Sequence, residues 1–118
     1  MKLLILTLAL SISTLSFADD CTDANSNFEM SNCAAEEYAK QDKELNRQYA
    51  LAMKKLDKEA SSKLRRAQRA WLAFRDAQCD LEADELRGGT GASLVLLGCL
   101  GRMTEGRVND LQDIVELR

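Results

Sequence analysis

Residues 33–87 read CAAEEYAKQDKELNRQYALAMKKLDKEASSKLRRAQRAWLAFRDAQCDLEADELR, 55 positions without a glycine or a proline. Ala, Leu, Lys, Glu, Gln and Arg dominate, and these residues give up little conformational freedom on entering a helix. Leu45, Tyr49, Met53 and Leu56 recur at spacings of 4, 4 and 3, and Leu64, Ala67, Trp71, Phe74, Gln78 and Leu81 at 3, 4, 3, 4 and 3. Each series marks one face of a helix. Ser31 or Asn32 supplies an N-cap, with Glu36 or Glu37 in the first turn to meet the positive end of the helix dipole. One unbroken rod would leave both stripes without a partner. A break between Asp57 and Ser62, with Ser61 or Ser62 capping the second helix, folds the stripes face to face. The expectation is a long helical hairpin.

Downstream, Arg87-Gly88-Gly89-Thr90-Gly91 concentrates glycines where a tight reversal needs positive φ, and so ends the second helix. Leu97, Leu100, Val108, Leu111 and Val115 then form a third apolar face. Gly98, Gly101 and Gly106 interrupt it, marking either a close helix contact or a break near Thr104, which with Glu105 would start a further helix. The fold class is all-α: a small disulfide-braced bundle of three or four helices built on that hairpin.

Upstream, Met1-Lys2 precedes an uncharged run from Leu3 to Leu15, and Ser16-Phe17-Ala18 places small residues before Asp19-Asp20. This pattern predicts a signal peptide over residues 1–18, cleaved after Ala18, and a single domain over residues 19–118. The run is shorter than the roughly 20 residues that span a bilayer. No membrane association is expected after cleavage, and residues 18–20 do not form a lipobox before Cys21. Export places the protein in the periplasm or outside the cell. There Cys21, Cys33, Cys79 and Cys99 are expected as two disulfides. Three pairings are possible; Cys21 with Cys33 and Cys79 with Cys99 are favoured, because each pair brackets a plausible non-helical segment whose ends can meet. Their separations of 12, 46 and 20 residues, without histidine, do not suit zinc.

The whole chain has 118 residues, 16 Lys plus Arg against 19 Asp plus Glu, and no His. Lacking histidine, it has no His-based triad and no ordinary general base, so a non-enzymatic protein without cofactors is expected. Loss of Lys2 with the leader leaves 15 positive against 19 negative groups, a net charge of −4, which disfavours nucleic acid. If the chain reverses near residue 59, positions whose numbers sum to about 118 face each other, pairing Asp42 with Arg75 and Asn46 with Leu72. Gln68 and Arg107 extend a structural polar network around Asp42, Asn46 and Arg75. Glu36-Glu37 and the Asp80, Glu82, Asp84, Glu85 cluster read as solvated helix faces, and Trp71 as core.

Several of these residues fall into a recognisable series. Cys33-Ala34-Ala35, Asp42-x-x-Leu45-Asn46-x-x-Tyr49, Leu64-Arg65-x-Ala67-Gln68-x-x-Trp71-x-x-Phe74-Arg75-Asp76-x-x-Cys79, Gly88-Gly89-Thr90, Cys99 and Thr104-x-x-Arg107-x-x-x-Leu111 together resemble the LprI-type lysozyme-inhibitor family. The resemblance spans about Cys21 to Leu117. It implies an exported, mainly helical domain with paired cysteines that inhibits lysozyme, and the matched residues look like scaffold rather than inhibitory surface. An acidic chain is attracted to a cationic lysozyme, as to any cationic cell-wall hydrolase. The loop from Arg87 to Ser93, flanked by Asp84 and Glu85, is the candidate for entering or covering a partner's cleft, with Asp84, Glu85, Gly88, Gly89 and Thr90 as contact residues. The alternative is a structural or stress-related envelope protein, or an immunity factor against another wall hydrolase.

Overall fold

The computed structural model describes residue 21 and residues 24–118; the expected signal peptide and its expected cleavage point lie outside the described residues. Three helices account for nearly all of it: α1 (Asn27–Lys55), α2 (Lys58–Asp84) and α3 (Ala92–Leu117). The all-α, three-helix architecture is the one expected, and both expected disulfides are present, with Cα separations of 5.6 Å for Cys21–Cys33 and 5.4 Å for Cys79–Cys99.

The boundaries differ from the expectation in instructive ways. α1 begins at a cap on Ser26, whose hydroxyl accepts from the Glu29 N–H at 3.1 Å, while the Glu29 carboxylate accepts from the Asn25 N–H at 2.8 Å. Ser26-x-x-Glu29 is a capping-box pattern, and it starts the helix ahead of Ser31 and Asn32. Cys33 therefore sits inside α1. The break falls at Leu56 and Asp57, and the Asp57 carboxylate, rather than Ser61 or Ser62, caps α2 through the Ala60 N–H at 2.8 Å. α2 stops at Asp84, short of the glycines, and continues as three-residue turns: Leu86 N–H to Ala83, Arg87 N–H to Asp84 and Gly89 N–H to Leu86. Gly88 supplies the expected left-handed residue at φ +78°.

α3 is continuous through Thr104, so the fourth helix does not form. At Gly101 the alternative of a close helix contact is realised: a Cβ there would lie 3.7 Å from the Tyr38 Cα. The two helices run parallel, since Asn27 bonds Thr90, Ser31 bonds Ser93 and Tyr38 meets Gly101. α2 runs antiparallel to α3, through Cys79–Cys99, Arg75 to Thr104 and Gln68 to Arg107. Both α1 and α2 pack chiefly on α3 and touch each other little. The expected face-to-face packing of the hairpin stripes is thus replaced by packing on the third helix, which offers each leg a seam of small and apolar residues.

Leu45 and Ala52 of α1, Leu64 of α2, and Val108 and Leu111 of α3 form the apolar core, flanked by Tyr49, Met53, Leu56, Trp71, Ile114 and Val115. Each fully buried leucine contributes about 1.5–3 kcal/mol. This core lies toward the α1–α2 turn. Toward the opposite end, the only buried apolar side chains among the described residues are Cys79 and Cys99.

The apolar stripe expected on α2 requires correction. Phe74 is 59% and Leu81 66% exposed, and Ala67 is exposed, whereas Leu64, Gln68, Arg75 and Cys79 are buried. At about 100° per residue, Arg75 lies about 40° from Cys79 around the helix, while Phe74 and Leu81 lie about 140° and 160° away. The bond from Cys79 to Cys99 turns the Cys79 face toward α3, and Phe74 and Leu81 away from it.

Candidate functional site

The end of the bundle that carries the α2–α3 loop is the most heavily braced. The disulfide Cys79–Cys99 joins the two helices that enter and leave the loop, and Cys21–Cys33 ties the approach to α1 alongside. The Asn27 amide donates to the Thr90 hydroxyl at 3.2 Å, so α1 also holds the loop from the side. Within the loop, Arg87 grips both oxygens of Asp84, and that carboxylate raises the Arg87 pKa above the ordinary guanidinium value. A side chain at Gly89 would meet the Leu86 carbonyl oxygen at 3.1 Å. These constraints hold a seven-residue connection, residues 85–91, in one shape with Leu86 43% exposed on it.

Of the contact residues named from the sequence, Asp84, Glu85, Gly88, Gly89 and Thr90 are all exposed and cluster at this end. Below the loop a furrow between α2 and α3 runs past Asp84, Asp80 and Asp76, with Leu96 and Leu100 of α3 on its other side. Asp76, Asp80 and Asp84 are one turn apart on one edge; Asp76 pairs with Arg75 and Asp84 with Arg87, which leaves Asp80 unpaired among the described residues. Asp80, Leu96 and Leu100 are not among the contact residues expected from the sequence; the i, i+4, i+8 spacing of the three aspartates is the signal that points to this edge.

The polar residues named as a network are divided by the structure. Arg75, only 6% exposed, donates from Nη1 to the Thr104 hydroxyl at 3.3 Å and from Nε to Asp76 at 2.9 Å. Its guanidinium lies 5.5 Å from the Tyr38 ring centre and 5.3 Å from that of Trp71. Arg107 lies 5.8 Å from the Trp71 ring and donates from Nε to the Gln68 carbonyl at 2.9 Å. Aromatic and guanidinium groups therefore alternate across the three helices, an arrangement that stabilises partly buried cations through the ring faces. Asp42 is not among the partners of Arg75, correcting the expected contact. Asp76 is adjacent in sequence and reaches the guanidinium without spanning the gap between α1 and α2. Asp42 and Asn46 instead line an open groove with Tyr49, Arg65, Gln68, Arg69 and Leu72. Among the described residues no helix is long and apolar enough to cross a membrane.

These observations define a small, disulfide-braced three-helix domain. Comparison with known proteins narrows it: the chain belongs to the family described as Lysozyme inhibitor LprI, whose model matches residues 18–111. At the level of that family the function is lysozyme inhibition, with lysozyme as the partner. An uncharacterized protein of Rhizobium meliloti (strain 1021) is 37% identical over 110 residues, covering 82% of this chain and 79% of its own. The uncharacterized protein YecT of Escherichia coli (strain K12) is 37% identical over 75 residues, which cover 54% of this chain and 44% of YecT. No solved structure matches.

Proposed function

We propose that this chain is an exported, non-catalytic binding protein that inhibits a cationic lysozyme by placing its loop end over the active-site cleft. Residues 1–18 act as the signal peptide, and residues 19–118 form the single mature domain of the periplasm or the extracellular space. The observation that supports the binding mode is the coincidence of family membership with the braced loop: both disulfides and the Asn27–Thr90 bond meet where Asp84 and Glu85 are exposed. A loop ordered before binding loses less entropy on docking. Asp84 is neutralised by Arg87, so Glu85 and Asp80, in no ion pair among the described residues, supply the negative charge that steers a basic partner, while Leu86 supplies apolar contact at the tip.

The reading is tested by titrating the oxidised mature protein into a turbidity-clearing assay on cell-wall suspensions with several lysozyme types. The expected result is dose-dependent slowing of clearing by at least one of them. Clearing that proceeds unchanged at every dose with all types refutes it.

A further inference from the structure

We propose that the groove between α1 and α2 binds a carboxylate-bearing glycan of about two sugar units. The groove has a volume of about 520 Å³, within the usual range for small-ligand sites. From Asp42 to Tyr49 its α1 wall runs roughly 10 Å at about 1.5 Å per residue, the length of a disaccharide.

The chemistry of the two walls differs. On α2, Arg65 and Arg69 are exposed, one turn apart, and in no ion pair among the described residues; Arg66 and Arg118 are likewise unpaired but do not line this groove, and Arg47, Arg75, Arg87, Arg102 and Arg107 each engage a carboxylate. Two free guanidiniums on one wall are a receptor for an anionic oxygen group. On α1, Asp42 and Asn46 make no side-chain hydrogen bond among the described residues, and the half-buried Tyr49 adds ring surface and a hydroxyl. Gln68 gives its carbonyl oxygen to Arg107, which leaves its amide N–H groups for the groove. The ligand therefore needs an anionic group near Arg65 and Arg69 and neutral hydroxyl or amide groups near Asp42 and Asn46, where a second carboxylate would be repelled.

A peptide fits these walls less well. Both walls are helices whose backbone groups are already bonded, so no edge is open for strand addition, and the polar lining does not suit the apolar face of an amphipathic helix. Sugar hydroxyls match the planar Asp, Asn, Gln and Arg groups directly. This site lies apart from the loop end, and the glycan assignment stands or falls independently of lysozyme inhibition.

The test is titration of the oxidised protein, followed by calorimetry and by amide NMR, with a muramic-acid-containing disaccharide whose lactyl carboxylate is free. Neutral chitobiose and triglutamate are the comparison probes. The expected result is binding of the acidic disaccharide, with shifts confined to α1 residues 42–49 and α2 residues 65–72, weakened about tenfold or more in an R65S/R69S variant. Both arginines are exposed, so the variant should keep the fold, which its amide spectrum checks. Equal binding of chitobiose, equal or tighter binding of triglutamate, an unweakened variant, or no binding of the disaccharide overturns the proposal.

Discussion

Removing Cys79 and Cys99 together should cost far more than removing Cys21 and Cys33, although the two bridges close loops of similar size. The separations are 20 and 12 residues, and chain-entropy arithmetic assigns each about 3 kcal/mol. That arithmetic applies in full only when the bridged positions must both be ordered for the domain to fold. Cys79 and Cys99 are 0% and 1% exposed and sit within α2 and α3, so both are fixed in the native state. Replacing them with alanine also leaves a small buried void, adding about 1 kcal/mol. A total of about 4 kcal/mol is a large share of the ~5–15 kcal/mol that holds a domain. Cys21 precedes α1, and Asn25 to Glu29 around the cap are exposed. In the C21A/C33A variant the approach to α1 can come loose without opening the bundle, so about 1 kcal/mol or less is expected. The measurement is thermal unfolding followed by circular dichroism. At about 4–8 °C per kcal/mol for a domain of this size, C79A/C99A should melt roughly 16–32 °C below the parent and C21A/C33A within about 8 °C of it. Equal losses for the two variants, or a C79A/C99A midpoint within a few degrees of the parent, would refute the reasoning.

Substituting Asp84 and Glu85 by Lys should weaken lysozyme inhibition while far-ultraviolet circular dichroism stays unchanged, since both side chains are exposed; undiminished potency removes the loop from the inhibitory surface. G101A should be neutral or stabilising by up to about 1 kcal/mol, because the added methyl makes only ordinary contact with Tyr38 and alanine is the better helix former, whereas G101L should cost about 1–3 kcal/mol by forcing α1 from α3; denaturant midpoints distinguish the two. Glu44 is held at a pKa of about 2, below its ordinary 4.5, chiefly by the hydrogen bond from Arg47 and then by that from Gln48. Its contribution is therefore fully present above pH 4.5 and disappears as pH falls through about 2. An E44Q variant should show a shallower fall of melting temperature across that window than the parent, and parallel curves would exclude the mechanism.

How far the sequence discloses this molecule depends on which interaction decides each feature. The existence of the helices rests on local composition and period, and both are plain in residues 33–87. The α1 stripe through Leu45, Tyr49, Met53 and Leu56 faces the core as read, because α1 meets α3 along most of its length. The α2 stripe holds at Leu64 and Trp71, which pack in and against the core, and fails at Phe74 and Leu81, where a covalent bond to a distant helix sets the orientation and hydrophobic period alone does not register that constraint. It favoured Phe74 and Leu81 over a face containing Gln68 and Arg75, whose burial depends on Arg107, Thr104 and two aromatic rings on other elements. The assumption that chain neighbours pack together pairs Asp42 with Arg75 in the same way, whereas Arg75 turns to Asp76 beside it and to Thr104 of α3. The loop was legible because its glycines act locally. The α1–α2 groove was not, since its walls are defined by what α1 and α2 leave uncovered when both pack on α3.

The distribution of burial differs between the two ends of the bundle. Toward the α1–α2 turn, Leu45, Ala52, Leu64, Val108 and Leu111 supply a conventional apolar core, and that region can hold its shape by area alone. In the middle, Arg75 and Arg107 against Tyr38 and Trp71 fill the space between helices with groups whose geometry is specific but whose net stabilisation is small once desolvation is counted. At the loop end, polar and small residues are left outward, and among the described residues no buried leucine, isoleucine or valine backs them. Such a surface would be free to engage a partner but would fray if only van der Waals contact held it. The sulfur bridge at Cys79–Cys99 takes over the role of a core there, keeping Asp84, Glu85 and Leu86 fixed without requiring that apolar area be spent inward. A domain this small can thereby leave polar and small residues outward at one end while its chain stays tied together there.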